Sequence, residues 1–482
     1  LPLVVRSAPP VTSLELTTEP SSIAADGIST STVTALVKGA DSNPLGGVSV
    51  TFTATLGTLS HLLRMSGPEG TASVVLTSAI NSGLSTVRAV ADSITRTTEV
   101  TFTTSPTPEV RALWVTRYGY SSPEDVARIV ERAAYAHFNT ILFQVRGQSD
   151  AYYQSQHEPW AARLTGTITE TLGQDPGWDP LAVALDEVQP RGLQLHAWIN
   201  VYPAWVGTSP PPTDTSPLHM YHVLTAVYTD TWRQWDEHGP MPLNPSYLWA
   251  SPAVTLTVEP IISVCQDIVG RYDVDGLHLD HIRYAGPGYS HDPVSQARFS
   301  ETLAISPTIT WEDWQRAQVT ELVDRIYREV ISPRSDVMLT AAVWPIYQDR
   351  WDWIKYDGYD GYYQDSQGWM QEGQIDGIAP MLYAYMSCMG GEEYYSRFYT
   401  LTQDFVEHDN DRFVLAGIYA GTDDGMSHYD DFEDVADSID RARQAGVAGQ
   451  AIFQYRLVEE RGYWDEFREG PYQQPALLPA ME

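Results

Sequence analysis

The sequence has few basic residues, and that shortage excludes two classes of partner. Of its 482 residues, 29 are Lys or Arg and 62 are Asp or Glu, so the formal net charge is -33. Nucleic-acid phosphates and anionic lipids are bound through basic surfaces, which so acidic a chain cannot easily supply. We therefore expect no nucleic-acid partner and no polybasic attachment to a membrane.

Cysteine and long apolar runs are also scarce. The two cysteines, Cys265 and Cys388, are too few for a disulfide framework and belong to no CxxC or Cys/His metal motif. Cys265 lies in an apolar helical stretch, where a buried free thiol is expected. No run of about 18 apolar residues occurs, so no transmembrane segment is predicted.

The chain does contain a globular share of hydrophobic residues, 43%, and its aromatic share of 11% includes 15 Trp and 28 Tyr. Trp and Tyr rings stack on the apolar faces of sugars while their polar atoms form hydrogen bonds. The composition therefore favours a carbohydrate ligand, although core packing uses aromatic residues as well.

The first hundred residues show the period-two pattern of β-strands. Val33, Ala35 and Val37 alternate with outward-facing positions, and residues 48–54 repeat the pattern. Further short strands fit residues 72–77, 86–91 and 99–103. This spacing predicts an all-β sandwich over residues 11–104. Residues 1–10 would then form an N-terminal stub, and residues 105–109 a stiff Pro-containing linker.

Residues 110–476 alternate short apolar strands with amphipathic helices. The predicted strands are 110–116, 140–146, 193–200, 274–280, 337–344, 375–383, 413–419 and 449–455. The predicted helices are 123–137 after Ser121-Ser122, one opening at Asp179-Pro180, one from Ser251-Pro252 to about Tyr272, 311–330 and 431–444. Eight strand–helix units predict a multidomain protein whose second part is a (β/α)8 TIM barrel. A doubly wound sheet is the alternative, but no GxGxxG or Walker loop follows any strand.

Aspartates fall at both ends of the predicted strands. Similar turns precede three strands, with VDGL at 274–277, IDGI at 375–378 and VAGQ at 447–450. Asp275 and Asp376 therefore lie at amino-terminal strand ends, and we interpret both as structural turn residues. Asp280 instead lies at a carboxyl end, where TIM-barrel enzymes keep their catalytic groups.

The carboxyl strand ends carry side chains suited to binding and cleaving sugars. Glycoside hydrolysis usually requires two carboxyl groups, and Asp280 is the first candidate for the base or nucleophile. Alternatively, Asp280 only forms an ion pair with Arg146 or Arg283. Asp150 is preferred as the second catalytic carboxyl group, and its rivals in later loops are Asp349, Asp352 and Glu392. The predicted substrate-binding residues are Arg146, Gln144, Trp198, Asn200, His196, His278, Arg283, Trp114, Trp344, Tyr383 and Tyr419.

A metal site is a minor alternative. His196, His278 and Asp280 could converge on a divalent cation, as in a metal-dependent deacetylase or esterase. No HExxH or HxxxH pair supports this reading, so neither a metal nor another cofactor is expected. A Ser/His/Asp triad is discounted because no GxSxG elbow occurs.

The motifs of residues 110–385 resemble those of the glycosyl-hydrolase-like family 10, bacterial proteins of the YngK type. The matching stretches are RALWVT 111–116, FNTILFQVR 138–146, DAYYQS 150–155, EPW 158–160, LTG 164–166, PGWDPL 176–181, RGLQLHAWIN 191–200, LNP 243–245, YDVDGLHLD 272–280 and IDGIAP 375–380. The resemblance implies a TIM-barrel glycosidase acting on a polysaccharide, such as peptidoglycan strands stripped of their peptides. It also implies six pocket residues, Arg146, Asp150, Trp198, Asn200, His278 and Asp280. The family usually has a second acidic residue directly after the last of these, where this chain has His281.

Residues 11–104 resemble the bacterial immunoglobulin-like domains of the invasin/intimin type. The matching stretches are ADG 25–27, STSTVT 29–34, NPLGGVSVTF 43–52 and GTASVVLTS 70–78. This resemblance implies export to the cell surface or the extracellular space, with attachment through this domain.

We therefore expect a secreted or surface-associated glycoside hydrolase that cleaves O-glycosidic bonds in a carbohydrate polymer. A non-catalytic glycan-binding or adhesion protein is the alternative. Residues 1–109 hold 5 basic and 8 acidic residues, which leaves 24 basic and 54 acidic residues for the barrel part. That distribution favours a neutral or cationic glycan over a polyanionic one.

Overall fold

The computed structural model describes residues 10–25, 27–79, 81–103, 108–166, 170–383, 391–421 and 431–480. The chain divides into two compact units, residues 1–107 and 108–482, and each is described by itself. Residues 104–107 lie outside the described part, so the linker at 105–109 stays a prediction, as does the N-terminal stub. Within the described residues, no helix is both long and apolar enough to cross a membrane.

The first unit contains two β-sheets. In one, the order is Ser13–Glu19, Thr30–Lys38, Thr71–Thr77 and Thr58–Leu59. In the other, the order is Ser22–Ala24, Ile94–Thr103, Gly83–Ala91, Ser49–Ala54 and Leu63–Met65. Pairing is antiparallel except between the first two strands of this second sheet. Val33, Ala35 and Val37 are fully buried in the shared core, as their alternation predicts.

The second unit is a closed barrel of eight parallel strands. In barrel order they are Val110–Val115, Thr140–Arg146, Gln194–Asn200, Gly276–Asp280, Met338–Val343, Gly377–Pro380, Phe413–Tyr419 and Gly449–Phe453. The eighth strand pairs with the first and closes the barrel. The predicted TIM barrel preceded by an all-β sandwich is thus confirmed. These strands are called barrel strands 1 to 8 below.

Helices lie between the barrel strands and after the last of them. Their bounds are Pro123–Tyr135, Pro180–Val188, Met220–Tyr228, Thr255–Arg271, Pro293–Ile305, Trp311–Ile326, Gly358–Gly361, Ser366–Gln371, Gly391–Val406, Phe432–Ala445, Tyr455–Arg461 and Trp464–Glu469. Ser122 and Asp179 cap two of them as predicted, since each side chain accepts backbone N–H groups of the first turn.

The predicted helix start at Ser251-Pro252 is wrong. The helix begins at Thr255, and Val254 is its N-cap residue. Ser251 does not cap it because its buried hydroxyl donates to Asp292 Oδ2 at 2.8 Å. Further along the same helix, Cys265 is a buried free thiol, as expected.

Asp275 and Asp376 have the structural role that their position indicates. Asp275 Oδ2 accepts the backbone N–H of Leu195 at 2.8 Å, and Asp376 Oδ2 accepts that of Leu339 at 2.7 Å. Each carboxylate therefore binds the start of the preceding barrel strand. Both lie at the amino-terminal end of the barrel, which leaves the opposite end for the chemistry.

Candidate active site

Asp280 is the last residue of barrel strand 4, and its side chain lies next to His281. Oδ1 accepts the backbone N–H of His281 at 2.6 Å, and Nδ1 of the His281 ring lies 3.2 Å from the same oxygen. Burial raises the pKa of the carboxyl group, but His281, Arg283 and His278 more than offset this and lower it to about 2. Asp280 is therefore an ionised carboxylate throughout the neutral range.

The alternative in which Asp280 pairs with Arg146 does not hold. The Arg146 guanidinium instead binds Glu158, with Nε 2.9 Å and Nη2 2.8 Å from its carboxylate. Its other N–H groups donate to Ser149 Oγ and to the carbonyl groups of Asn200 and Val201. Arg146 is 1% exposed. Its donors are thus used inside the protein, where they fix the loops after barrel strands 2 and 3.

His278 lies below Asp280 on the same strand and is fully buried. Its Nε2 accepts a hydrogen bond from Trp114 Nε1 at 3.0 Å, and its Nδ1 lies 2.9 Å from Thr340 Oγ1. Burial lowers the pKa of His278 to about 3, so the ring is neutral. Since Nε2 accepts, the single ring proton lies on Nδ1 and points to Thr340.

That network disfavours the metal trio considered as a minor alternative. Both nitrogens of His278 are already engaged by protein side chains, which leaves no lone pair for a cation. His196 Nδ1 lies 3.5 Å from the same Thr340 hydroxyl, and burial lowers the pKa of His196 to about 4. No group of three or more His, Cys, Asp or Glu side chains within the described ranges could hold a metal ion.

A second network joins barrel strands 1, 2 and 3 at their carboxyl ends. Gln144 Oε1 accepts the backbone N–H of Arg117 at 3.0 Å, and Gln144 Nε2 donates to Asn200 Oδ1 at 3.1 Å. Asn200 Nδ2 then donates to the Tyr247 hydroxyl at 3.2 Å, which also accepts from Arg117 Nη2 at 2.9 Å. Asn200 is paired in register with Asp280 across strands 3 and 4. The network therefore ends beside the strand-4 carboxylate.

Asp150 follows barrel strand 2 and is 3% exposed. Its Oδ1 accepts the backbone N–H of Gln148 at 3.0 Å. Burial raises the pKa of its carboxyl group, against the opposing effects of Arg117, Gln148, Arg146 and the backbone of Gly147. The pKa values of Asp150 and Asp280 thus move in opposite directions at the same end of the barrel.

The rival carboxylates are less suited to catalysis. Asp349 accepts the backbone N–H groups of Trp351 at 3.1 Å and Ile354 at 2.8 Å, so it shapes its own loop. Asp352 is solvent-exposed and has a left-handed backbone with φ of 58°. The side chain of Glu392 lies outside the described residues.

Aromatic side chains cover two sectors of the same barrel end. In one, Tyr383 stacks on Phe453 with ring centroids 5.2 Å apart, and Tyr419 lies 5.5 Å from Tyr383. Trp114 meets Phe453 edge-on at 5.9 Å. Both tyrosines are half-buried.

The other aromatic sector surrounds Arg283. Its guanidinium carbon lies 5.3 Å from the ring centroid of Trp249, 5.1 Å from Trp344 and 5.2 Å from Tyr362. Trp198, also predicted to bind substrate, is almost completely buried in the barrel interior, and its Nε1 has no hydrogen-bond partner among the described residues.

The site also contains residues that are not among the predicted site residues, including Arg117, Tyr247 and Phe453. Arg117 and Phe453 could have been found, because both lie at the carboxyl ends of predicted strands. Tyr247 could not, since it comes from a short strand, Tyr247–Trp249, in the long segment after barrel strand 3.

Comparison with known proteins gives two family matches. The family described as "Glycosyl hydrolase-like 10" matches residues 109–418, and the family "Invasin, domain 3" matches residues 10–105. Both resemblances noted from the sequence are thereby confirmed.

The individual proteins that match this chain have low sequence identity to it. Glycosyl hydrolase YngK of Bacillus subtilis (strain 168) is 25% identical over 301 residues, 57% of this chain and 54% of that protein. Glycosyl hydrolase DigH of Escherichia coli (strain K12) is 28% identical over 253 residues, 51% of this chain and 54% of that protein. The chain therefore spans about half the length of the curated relatives that it matches.

Among solved structures, the PgaB (BpsB) glycoside hydrolase domain from Bordetella bronchiseptica matches with a TM-score of 0.55 and 14% identity. The match covers 75% of this chain and 98% of that domain, and it supports the barrel fold. Since the first family match spans more than half of the chain and contains both Asp150 and Asp280, the chain belongs to the glycosyl hydrolase-like 10 family.

Proposed function

We propose that this protein is a glycoside hydrolase in which Asp280 acts as base or nucleophile and Asp150 as general acid. The observation that carries the proposal is the opposite displacement of two pKa values at one end of the barrel. The pKa of Asp280 is lowered to about 2, and burial raises that of Asp150. Two carboxyl groups whose environments push their pKa values apart are the usual basis of acid and base roles in glycosidases.

The proposed chemistry assigns the proton donor to the carboxyl group with the raised pKa and the base or nucleophile to the one with the lowered pKa. Asp150 in its protonated form donates a proton to the glycosidic oxygen, and the carbon–oxygen bond to the leaving sugar breaks. Asp280 either attacks the anomeric carbon directly or removes a proton from the water that does so. Arg283 and His281 keep Asp280 ionised before the reaction begins.

The surrounding side chains supply binding for a sugar chain. Tyr383 and Tyr419 present half-buried rings that can stack on the apolar face of a pyranose. Gln144 and Asn200 are held in place by one another and by Tyr247. Arg146 and Trp198, which are enclosed by protein, support the site rather than contact the sugar.

The substrate that we propose is a polysaccharide, with an amino-sugar glycan such as peptidoglycan strands as the first candidate. Family membership supports a glycan substrate, and the names of YngK and DigH as glycosyl hydrolases agree with it. The invasin-like first unit supports export and a role at the cell surface or outside the cell.

Turnover on a panel of glycans tests this function. Reducing-end release should be measured for peptide-free peptidoglycan strands, poly-N-acetylglucosamine, hyaluronan and neutral glucans. The proposal expects at least one polymer to be shortened with multiple turnovers. Saturable binding of a glycan without any release would instead support the glycan-binding alternative.

A further inference from the structure

A cavity of about 100 Å³ opens at the carboxyl ends of barrel strands 1 and 2. Its lining includes Arg117, Tyr118, Asp150, Tyr152, Arg163 and Val206. Asp280 is not part of the lining, so this cavity extends the site on the side of the proposed acid. The volume corresponds to a small polar group rather than to a whole sugar ring.

The wall of the cavity contains a buried cation, Arg117, which is 3% exposed. Its Nη2 donates to the hydroxyl groups of Tyr118 at 2.8 Å and Tyr247 at 2.9 Å. Its Nε and Nη1 have no hydrogen-bond partner among the residues that the structure describes, and no carboxylate there lies within ion-pair distance, although the Asp150 carboxylate acts on it electrostatically. Buried guanidinium groups are normally paired, because an unpaired buried charge is strongly unfavourable.

The close approach of Gly147 makes room for this guanidinium. A Cβ atom on Gly147 would lie 2.7 Å from Arg117 Nε and 2.8 Å from its Cζ. A larger residue at position 147 would therefore displace the Arg117 side chain from this position. The hydrogen bonds to Tyr118 and Tyr247 hold the guanidinium where it is.

A second guanidinium lies at the mouth of the cavity. Arg163 is exposed, and its Nε donates to the carbonyl oxygen of Arg117 at 3.1 Å. The ring of Tyr118, 51% exposed, contacts both cations, with its centroid 4.6 Å from the Arg117 guanidinium carbon and 5.0 Å from that of Arg163. A partly exposed tyrosine beside two cations suits a sugar that carries an anion.

We propose that this cavity is a subsite for a carboxylate carried by a sugar of the glycan. Arg117 and Arg163 bind the carboxylate, and the sugar ring lies against Tyr118. The inference rests on the proposed glycoside hydrolase function and narrows its substrate class. Two kinds of sugar fit this chemistry, namely uronic acids and hexosamines with an ether-linked lactyl group.

The net charge of the barrel part does not conflict with this subsite. The total of 54 acidic and 24 basic residues disfavours a polyanion at long range, but that field is screened within about 10 Å at moderate salt. At the cavity itself two arginines face one aspartate, Asp150, whose pKa burial raises. The charges at the cavity therefore favour the binding of one carboxylate in each bound stretch of glycan. The acidic surface of the rest of the barrel part disfavours densely charged anionic polymers.

Two pairs of matched substrates test the subsite. One pair is a hyaluronan hexasaccharide and its carboxyl-reduced form, and the other is a peptide-free peptidoglycan fragment and its carboxyl-reduced form. Turnover and calorimetric binding are measured for the parent, Arg163→Gln and Arg163→Lys. Arg191→Gln is the matched control, because Arg191 lies at the amino-terminal end of the barrel, where it binds Glu187.

The parent and Arg191→Gln should prefer one carboxylated form over its reduced counterpart by about tenfold or more, as expected for a charge-assisted hydrogen bond. Arg163→Gln should lose most of that preference, and Arg163→Lys should keep part of it. The pair that shows the preference identifies the kind of sugar.

If the parent cleaves and binds the carboxylated and the carboxyl-reduced forms equally well, the proposed subsite is overturned. The proposed glycosidase function is not affected by that result. If no glycan is cleaved, the proposed hydrolase function fails, and the binding measurements alone test the subsite. In that case, the subsite is supported if the parent binds a carboxylated form more tightly than its reduced form and Arg163→Gln abolishes this preference. The subsite is refuted if the parent shows no such preference.

Discussion

His281 donates its backbone N–H to Oδ1 of Asp280 across 2.6 Å, and its own backbone is left-handed, with φ of 53°. This arrangement turns the chain back over the carboxylate and places the imidazole 3.2 Å from it. The relationship explains how a buried aspartate keeps a low pKa.

His281→Asn should raise the pKa of Asp280. Asn tolerates the left-handed backbone, but it removes the imidazole that helps lower the pKa to about 2. The acidic limb of kcat/KM should therefore move up towards the ordinary aspartate range of about 4. Because the base must be ionised, activity is lost as the pH falls through that value. His238→Asn, on an exposed histidine, is the control and should leave the profile unchanged.

Asp150→Asn should remove the basic limb of the pH profile. An acid must be protonated to work, so the parent loses activity as the pH rises through the pKa that burial has raised. The variant should lose about 10²–10⁴ in rate on an ordinary glycan. It should lose much less on an aryl glycoside whose leaving group needs no proton. Equal losses on both substrates would contradict the assignment of Asp150 as acid.

Trp114→Phe should weaken the barrel by about 1–3 kcal/mol, because it leaves His278 Nε2 buried without its donor. Denaturant unfolding of the barrel transition measures this loss. The double variant Trp114→Phe with Thr340→Val tests whether the two contacts of His278 act as one network. If they do, the losses of unfolding free energy of the two single variants are not additive. An unchanged unfolding free energy for Trp114→Phe would argue against the neutral, Nδ1-protonated histidine.

Glu109→Gln should reduce the pH dependence of barrel stability. Glu109 accepts from Arg111 Nε at 2.7 Å, Arg443 Nε at 2.8 Å and Gln450 Nε2 at 2.9 Å. Although burial raises its pKa, these hydrogen bonds outweigh burial and lower it to about 2. A depressed carboxyl pKa stabilises the fold above its unfolded value of about 4.5, and that stability is lost as the pH falls towards 2. Urea midpoints between pH 7 and pH 3 should therefore fall less steeply in the variant than in the parent.

The barrel strands could be predicted because they are buried on both faces. All seven residues of Thr140–Arg146 are buried, as are the six of Val110–Val115. A short run of mostly apolar residues of this kind is typical of parallel strands. Asp280 could be predicted as a site residue for a related reason, because a carboxylate at the end of a buried, mostly apolar strand departs from the apolar pattern.

Long-range pairings could not be predicted in the same way. Arg146 lies at the carboxyl end of a strand, a position that predicts a contact with the substrate. It is instead bound and enclosed by Glu158, which comes from the following loop. Tyr247 reaches the site through a segment whose strand of three residues carries no periodic pattern. The helix start at Ser251-Pro252 failed because Ser251 is recruited by Asp292, which lies 41 positions further along the chain.

The most direct test of the central claim is the turnover of Asp280→Asn on the glycan that the parent cleaves best. Asp352→Asn is the matched control, since Asp352 is an exposed aspartate in the loop segment after barrel strand 5. If Asp280 is the base or nucleophile, kcat should fall about a thousandfold or more in Asp280→Asn and stay at the parent level in the control. An Asp280→Asn variant that is folded and as fast as the parent would contradict the assignment.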